Sequence, residues 1–96
     1  MDKIINSPGQ LKSVISKLKK KDKKIIHCHG VFDLIHLGHI HHFREAKSLG
    51  GILIVSITAN EFVNKGPSKP LFHHFKRAEF LSSLNYIDYI TINYSE

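Results

Sequence analysis

Two histidines, separated by a leucine and a glycine, are the residues of this sequence best suited to chemistry. His36 and His39 are three positions apart, so at the start of a helix they point to the same side. Both imidazoles can donate hydrogen bonds to phosphate oxygens. Backbone N–H groups and the positive dipole end of a helix favour an anion at the same place. The spacing predicts a site that stabilises charge developing on a phosphoryl group.

The elements that must position these histidines follow from the surrounding pattern. Gly30 permits a tight exit from a preceding strand, and Gly38 lets a phosphate approach the backbone closely. Apolar residues then recur every three positions from Ile40 to Leu49, which predicts a helix closed by Gly50-Gly51. The informative segment, residues 30–39, therefore links a strand to a helix start.

The rest of the chain alternates helical and strand patterns. Ser7, Pro8 and Gln10 form a capping sequence for a first helix that runs into the lysine-rich stretch. The predicted order is α-β-α-β-α-β, which indicates an α/β, Rossmann-like parallel sheet with flanking helices. Ligands of such sheets bind beyond the carboxyl ends of the strands. The remaining predictions are strands at 24–29, 52–58 and 86–93, a loop at 60–72 with a helical turn at 61–63, and a helix from 75 to 84.

Length and composition set the class of protein. A chain of 96 residues predicts one domain, with a lead-in helix and lysine-rich end at 1–24 and a βαβαβ core at 25–96. The composition, 42% hydrophobic and 23% charged, is ordinary for a soluble globular protein. Cys28 stands alone, so no internal disulfide forms. The sequence has neither a membrane-length apolar run nor a signal-peptide pattern, so a cytoplasmic location is expected.

The net charge of +6 is concentrated in a lysine-rich stretch at residues 17–24. Such a stretch suits an acidic partner, or else it is a solvated helix end whose cations complement the helix dipole. No aromatic residue interleaves with these lysines to stack on bases, so nucleic acid is an unlikely partner. We favour the solvated helix end and expect no membrane partner.

The run G-x-F-D-x-x-H-x-G-H at residues 30–39 resembles the signature of the cytidylyltransferase-like nucleotidyltransferases. The similarity continues through a lysine-containing loop at 64–70, Arg77 and an aromatic–aliphatic–Asp run at 86–89. This part of the chain is similar to glycerol-3-phosphate cytidylyltransferase and to the heptose-phosphate adenylyltransferase domain. The resemblance implies transfer of CMP or AMP from CTP or ATP to a phosphorylated sugar or polyol, with Mg²⁺ on the triphosphate and pyrophosphate released.

The same resemblance implies a role for individual residues. His36, His39 and Lys65 would be catalytic, by stabilising charge in the transition state. His29 and Lys69 would contact the phosphorylated acceptor, and no resident metal site is expected. The implied nucleotide-binding residues are Gly30, Val31, Phe32, Asp33, His36, Gly38, His39, Lys65 and Arg77, with Asp33 organising the turn rather than acting as a base.

Several alternatives stay open. Relatives carry a further helix, strand and Ser/Thr-rich motif, so an incomplete site, a homodimer or a longer chain is expected. A non-catalytic nucleotide- or phosphate-binding module is the alternative function. The alternative roles are a structural ion pair for Arg77 and a cap or ion pair for Asp88. The remaining expectations are a packed His27, a buried Cys28, surface His41 and His42, His73 and His74 near the site mouth, and core positions for Phe43, Phe62, Phe75 and Phe80.

Overall fold

The structure, a computed structural model, describes residues 3–63, 66 and 69–94. Four parallel strands form one sheet in the order β1-β4-β3-β2, with helices on both faces. This arrangement confirms the predicted α/β class. The strands are β1 Ile4–Ile5, β2 Ile25–Gly30, β3 Ile52–Thr58 and β4 Tyr89–Asn93, and the helices are α1 Pro8–Lys20, α2 Leu37–Ser48 and α3 His74–Ser82, with a 3-10 turn at Asn60–Phe62.

The first helix begins where its capping sequence predicts. Ser7 Oγ accepts the Gln10 N–H at 3.1 Å, and Gln10 Oε1 accepts the Asn6 N–H at 3.0 Å. Pro8 occupies the first helical position, where its missing N–H costs nothing. Lysines fill the last turn, as the helix dipole favours. Within the described residues, no helix has the length and apolar character needed to cross a membrane.

Helices α2 and α3 share one face of the sheet, and that face is the main core. Phe43 of α2 and Leu81 of α3 have no exposed surface, and they pack with Leu53, Val55 and Ile57 of the central strand β3. The continuous β-branched run of β3 thus reflects burial between neighbours on both sides. Cys28 is buried in the same core, as predicted.

Three sequence predictions are wrong in detail. Strand β1 is missing from the predicted order, because two residues are too short to show a periodicity. Strand β4 begins at Tyr89 rather than at residue 86: Ile87 enters the core, and the Asp88 carboxylate accepts the Leu53 N–H at 2.8 Å and pairs with Lys47 at 2.7 Å. Two phenylalanines expected in the core, Phe75 and Phe80, are 60% and 58% exposed.

The junction before β3 generates a stability prediction. An added Cβ at Gly51 would lie 2.5 Å from the Lys24 carbonyl oxygen, which accepts the Ile52 N–H and starts the β2–β3 pairing. Gly51→Ala is therefore expected to lower the free energy of unfolding by about 1–3 kcal/mol. Gly9, which has open space around it in α1, supplies the control: Gly9→Ala should raise stability by about 0.5–1 kcal/mol. Urea unfolding of both variants checks this, and equal stabilities would contradict it.

Candidate functional site

The turn from β2 into α2 is built around the ring of Phe32. Its φ of 53° is left-handed, which is unusual for a bulky residue. A Cβ at Gly30 would lie 2.8 Å from this ring, so glycine there makes room for it. The ring packs against Phe43 in the core and meets the His39 ring edge-on, with centroids 5.3 and 5.5 Å away. Phe32 thus connects the core to a candidate catalytic imidazole.

His36 and His39 cap the start of α2 with their own side chains. His36 Nδ1 accepts the Gly38 N–H at 3.1 Å, and His39 Nδ1 accepts the His36 N–H at 3.2 Å. The two ring centroids are 3.9 Å apart. An imidazole that accepts through Nδ1 is neutral and carries its hydrogen on Nε2. The turn therefore brings together two Nε2–H donors at a helix N-terminus, which suits phosphate oxygens.

Gly38 has a role beyond the phosphate approach predicted for it. A Cβ at this position would lie 2.9 Å from the His36 ring. The absence of a side chain therefore lets that imidazole fold over the helix start and accept the N–H of Gly38 itself.

Asp33 was expected to organise its own turn; in the structure it organises the backbone of a loop distant in sequence. Its carboxylate accepts the N–H groups of Leu71 and Phe72 at 2.6 and 2.9 Å. Burial opposes its ionisation, but these two bonds and the charges of Lys69 and Arg77 outweigh burial and lower the Asp33 pKa. The candidate substrate residue Lys69 is therefore electrostatically coupled to this turn, while its side chain stays exposed.

Arg77 lies inside the protein and is only 1% exposed. The resemblance implies that this side chain contacts the nucleotide, but its contacts here are with the protein. Its guanidinium donates to the carbonyl oxygens of Val31 at 2.8 Å, Thr58 at 2.7 Å and Phe72 at 3.0 Å, and to Asn60 Oδ1 at 2.8 Å. Val31 follows β2, Thr58 ends β3 and Asn60 follows it, and Phe72 precedes α3. Arg77 therefore ties together the segments at the carboxyl edge of the sheet.

His74 and Asn60 join this network; the sequence predicted only that His74 lies near the site mouth, and nothing in it marked Asn60. His74 is 5% exposed, and its Nδ1 accepts the Asn60 N–H at 3.0 Å. Burial lowers the His74 pKa, with help from the charges of His73 and Arg77 and against that of Glu61. The only available signal is proximity in the chain, since Asn60 follows β3 and His74 begins α3. By residue type alone, neither position stands out from the rest of the sequence.

His29 lies on the face of the sheet opposite to α2 and α3. Its Nδ1 is 2.6 Å from Ser56 Oγ, and His27 Nε2 is 2.8 Å from the same oxygen. The expectation that His27 is packed is wrong, because β2 is an edge strand of the described sheet and both rings are exposed. On the other face, Cys28 Sγ lies 3.5 Å from Nε2 of His42, which is a surface residue as expected.

The remaining site prediction, Lys65, lies outside the described residues. The contacts above bring together the segments that carry the other predicted site residues on this side of the sheet: Val31, Phe32, Asp33, His36, His39, Lys69 and Arg77. Among the described residues, no group of three or more His, Cys, Asp or Glu side chains could hold a metal ion.

Comparison with known protein families gives a match over most of the chain. A sequence model of the cytidylyltransferase-like family matches residues 27–95, which include β4, Arg77 and the turn at residues 30–39 that carries His36 and His39, here called the histidine turn. The chain belongs to the cytidylyltransferase-like family. The match begins within β2, so α1 and β1 lie outside it.

Individual relatives agree with the family assignment. Bifunctional protein HldE of Campylobacter jejuni subsp. doylei is 39% identical over 93 residues, or 95% of this chain and 20% of that protein. HldE of Geobacter metallireducens is 38% identical over 92 residues, 94% of this chain and 19% of its own length. The chain thus spans about a fifth of these relatives. A solved structure, the lipopolysaccharide core biosynthesis protein from Thermoplasma volcanium GSS1, matches with a TM-score of 0.69 and 30% identity over 75% of this chain and 59% of that one.

The Arg77 contacts generate a prediction that separates a structural from a ligand-binding role. Arg77→Lys should lower the free energy of unfolding by about 2–4 kcal/mol, because a single ammonium cannot reach four dispersed acceptors. The exposed neighbour Lys76 is the control, and Lys76→Ala should change stability by less than about 0.5 kcal/mol. Chemical denaturation measures both. If Arg77→Lys kept full stability but lost nucleotide affinity, direct contact with the ligand would replace the structural role.

Burial of His74 predicts a pH dependence of stability. Its pKa is lowered from 6.5 in the folded chain, so the unfolded chain binds more protons between the folded value and 6.5. Stability should therefore fall as the pH drops through that window. His27 acts in the same direction, because the burial of part of its otherwise exposed ring, together with the charge of His29, lowers its pKa. His74→Asn should reduce the slope of unfolding free energy against pH. His41→Asn, at an exposed position on α2, should leave the slope unchanged, and equal slopes in all three proteins would contradict the assignment.

Proposed function

We propose that this chain carries the histidine turn of a nucleotidyltransferase that transfers CMP or AMP from CTP or ATP to a phosphorylated sugar or polyol. The observation that carries the proposal is the pair of imidazoles at the start of α2, each of which accepts a backbone N–H through Nδ1 and so leaves Nε2 to donate. Membership of the cytidylyltransferase-like family supports the reaction type. Similarity to a lipopolysaccharide core biosynthesis protein supports a carbohydrate acceptor.

The proposed reaction is a single displacement at phosphorus. A phosphate oxygen of the acceptor attacks the α-phosphorus, and the bond from that phosphorus to the bridging oxygen of the β-phosphate breaks, so pyrophosphate leaves. No proton has to be removed from an ionised acceptor phosphate, which explains why the turn needs no general base. His36 and His39 donate to oxygens whose negative charge grows in the transition state, and Lys65 is proposed to assist from its loop.

Mg²⁺ is proposed to enter with the triphosphate rather than as a resident ion. The nearest carboxylate to the turn, Asp33, already accepts two backbone N–H groups. Because Mg²⁺ is commonly held by substrate phosphates and water, the phosphate oxygens would supply its main ligands. The ion would neutralise charge on the leaving pyrophosphate.

Binding without turnover is the second candidate function. The observation that favours it is the inward position of Arg77, since a cation expected to face the nucleotide is fully engaged by protein oxygens. A module of this kind would bind CTP or ATP at the histidine turn and release no pyrophosphate. Measuring pyrophosphate release beside binding therefore separates the two functions.

Calorimetric titration with CTP and ATP, each with Mg²⁺, tests the proposed site. One nucleotide should bind, and His36→Ala should weaken its binding, because the variant loses both a hydrogen-bond donor and the cap of α2. His39→Ala should lower turnover by about 10²–10³-fold if this imidazole stabilises the transition state. His41→Ala, an exposed histidine on the same helix, is the matched control and should behave like the wild type.

Three results would count against the proposal or a part of it. Nucleotide binding that is equal in His36→Ala and wild type would place the phosphates away from the histidine turn. Near-normal turnover in His39→Ala would remove that residue from the catalytic list. Binding without any pyrophosphate release in the wild type would favour the binding module.

A further inference from the structure

A groove of about 570 Å³ lies between the start of α1 and the face of the sheet opposite to α2 and α3. Its floor includes His27, His29 and Ser56, and its walls include Pro8 and Leu11 of α1. The volume is in the range of small-molecule sites in proteins. Parallel sheets covered on both faces are usually apolar throughout, so a polar floor here needs an explanation.

Polarity on this face changes along the strands. Residues near the amino ends, Ile52 and Ile54 of β3, are apolar, whereas Ser56 and its β4 partner Thr91 are polar. Both polar residues are largely buried, at 5% and 9% exposure. Burying polar groups stabilises a fold poorly compared with aliphatic packing. The polar half lies toward the carboxyl ends, where ligands of parallel sheets bind.

Among the described residues that line the groove, none has an acidic, lysine or arginine side chain. This part of the chain therefore offers the groove no such counterion for a phosphate or carboxylate. The polar groups that line it are those of Ser, Thr, Asn, Tyr and His, which can donate and accept hydrogen bonds.

Ser56 couples the two histidines of the floor. Its single hydroxyl hydrogen can serve only one of the two nitrogens that contact Oγ, so at least one imidazole donates to Ser56. In a neutral ring the outer nitrogen, Nδ1 of His27 or Nε2 of His29, accepts when the inner nitrogen donates and donates when the inner nitrogen accepts. The tautomer of each ring therefore sets the role of its outer nitrogen. Ligand groups that both donate and accept fit either role, and hydroxyls have this property.

We propose that this groove binds the uncharged, hydroxyl-bearing part of a sugar or polyol. The inference rests on the proposed function in naming that molecule as the phosphorylated acceptor. Ile5, Pro8 and Leu11 would pack on its C–H groups, and the His27–Ser56–His29 cluster would bind its hydroxyls. The groove reaches the candidate site at Tyr94, whose hydroxyl is 3.5 Å from His74 Nε2. His29 directly precedes Gly30, the first residue of the histidine turn.

Amide NMR spectra of the isotope-labelled full chain test this inference. The probes are glycerol, mannose, glycerol 3-phosphate, mannose 1-phosphate and inorganic phosphate. At least one uncharged probe and its phosphate ester should shift the amides of Ser56, Thr91 and Leu11. Inorganic phosphate should shift the amides of Gly38 and His39 but not those of the groove.

Variants decide whether the cluster recognises the ligand. Ser56→Ala should weaken binding of the responding probe by about tenfold, the loss expected for a hydrogen-bonding hydroxyl and the imidazoles it orients. Ser82→Ala, on α3 and away from the groove, is the matched control and should not affect binding. Ser56→Leu, which fills the groove, should abolish the shifts, and retained amide dispersion would show that the variant still folds.

The outcomes separate this inference from the proposed function. If no sugar or polyol shifts the groove amides, or if the shifts persist in Ser56→Leu, the groove assignment is wrong, whatever the nucleotide does. If the groove binds a polyol while neither CTP nor ATP binds at the histidine turn, the groove assignment stands and the transferase proposal fails.

Discussion

The candidate site depends on one buried cation. The Arg77 guanidinium is removed from water and compensated mainly by carbonyl oxygens at the ends of β2 and β3 and in the loop before α3. An uncompensated buried charge costs several kcal/mol, so these segments must stay where their oxygens can accept. Asp33 supplies the matching acceptor by holding the same loop through two backbone N–H groups. Together the pair fixes the distance between the histidine turn and the loop that carries Lys69.

The histidine content of the chain becomes understandable from this geometry. His36, His39, His73 and His74 lie at the first turn of a helix or just before it, and all four accept a backbone N–H through Nδ1. For His36, His39 and His73 that N–H belongs to the start of the same helix. Serine or aspartate usually caps helices in this way. An imidazole in that position adds a second, outward nitrogen that carries a hydrogen, so one residue both caps the helix and presents a donor.

The sequence predicted elements well where packing follows a simple period. The β-branched run of β3 and the capping sequence of α1 match the structure closely, because burial and local hydrogen bonds determine both. The same reasoning failed for α3, where His74 and Arg77 take buried positions and Phe75 and Phe80 stay exposed. Hydrophobic periodicity assumes that apolar residues face inward. It cannot show that a buried arginine is more stable when several strand-end carbonyl oxygens surround it.

The site divides in the same way into local and long-range parts. Residues 30–39 form a continuous motif, so their chemistry is readable from spacing alone. Asn60, His74 and Ser56 act through partners distant in sequence, and no short pattern marks them. The two sheet faces also differ in what they demand: the α2–α3 face needs aliphatic packing, whereas the opposite face has polar groups toward the carboxyl ends of its strands. A fold optimised for stability alone would place aliphatic residues on both faces. The polar half of the second face is therefore better explained by a ligand than by folding.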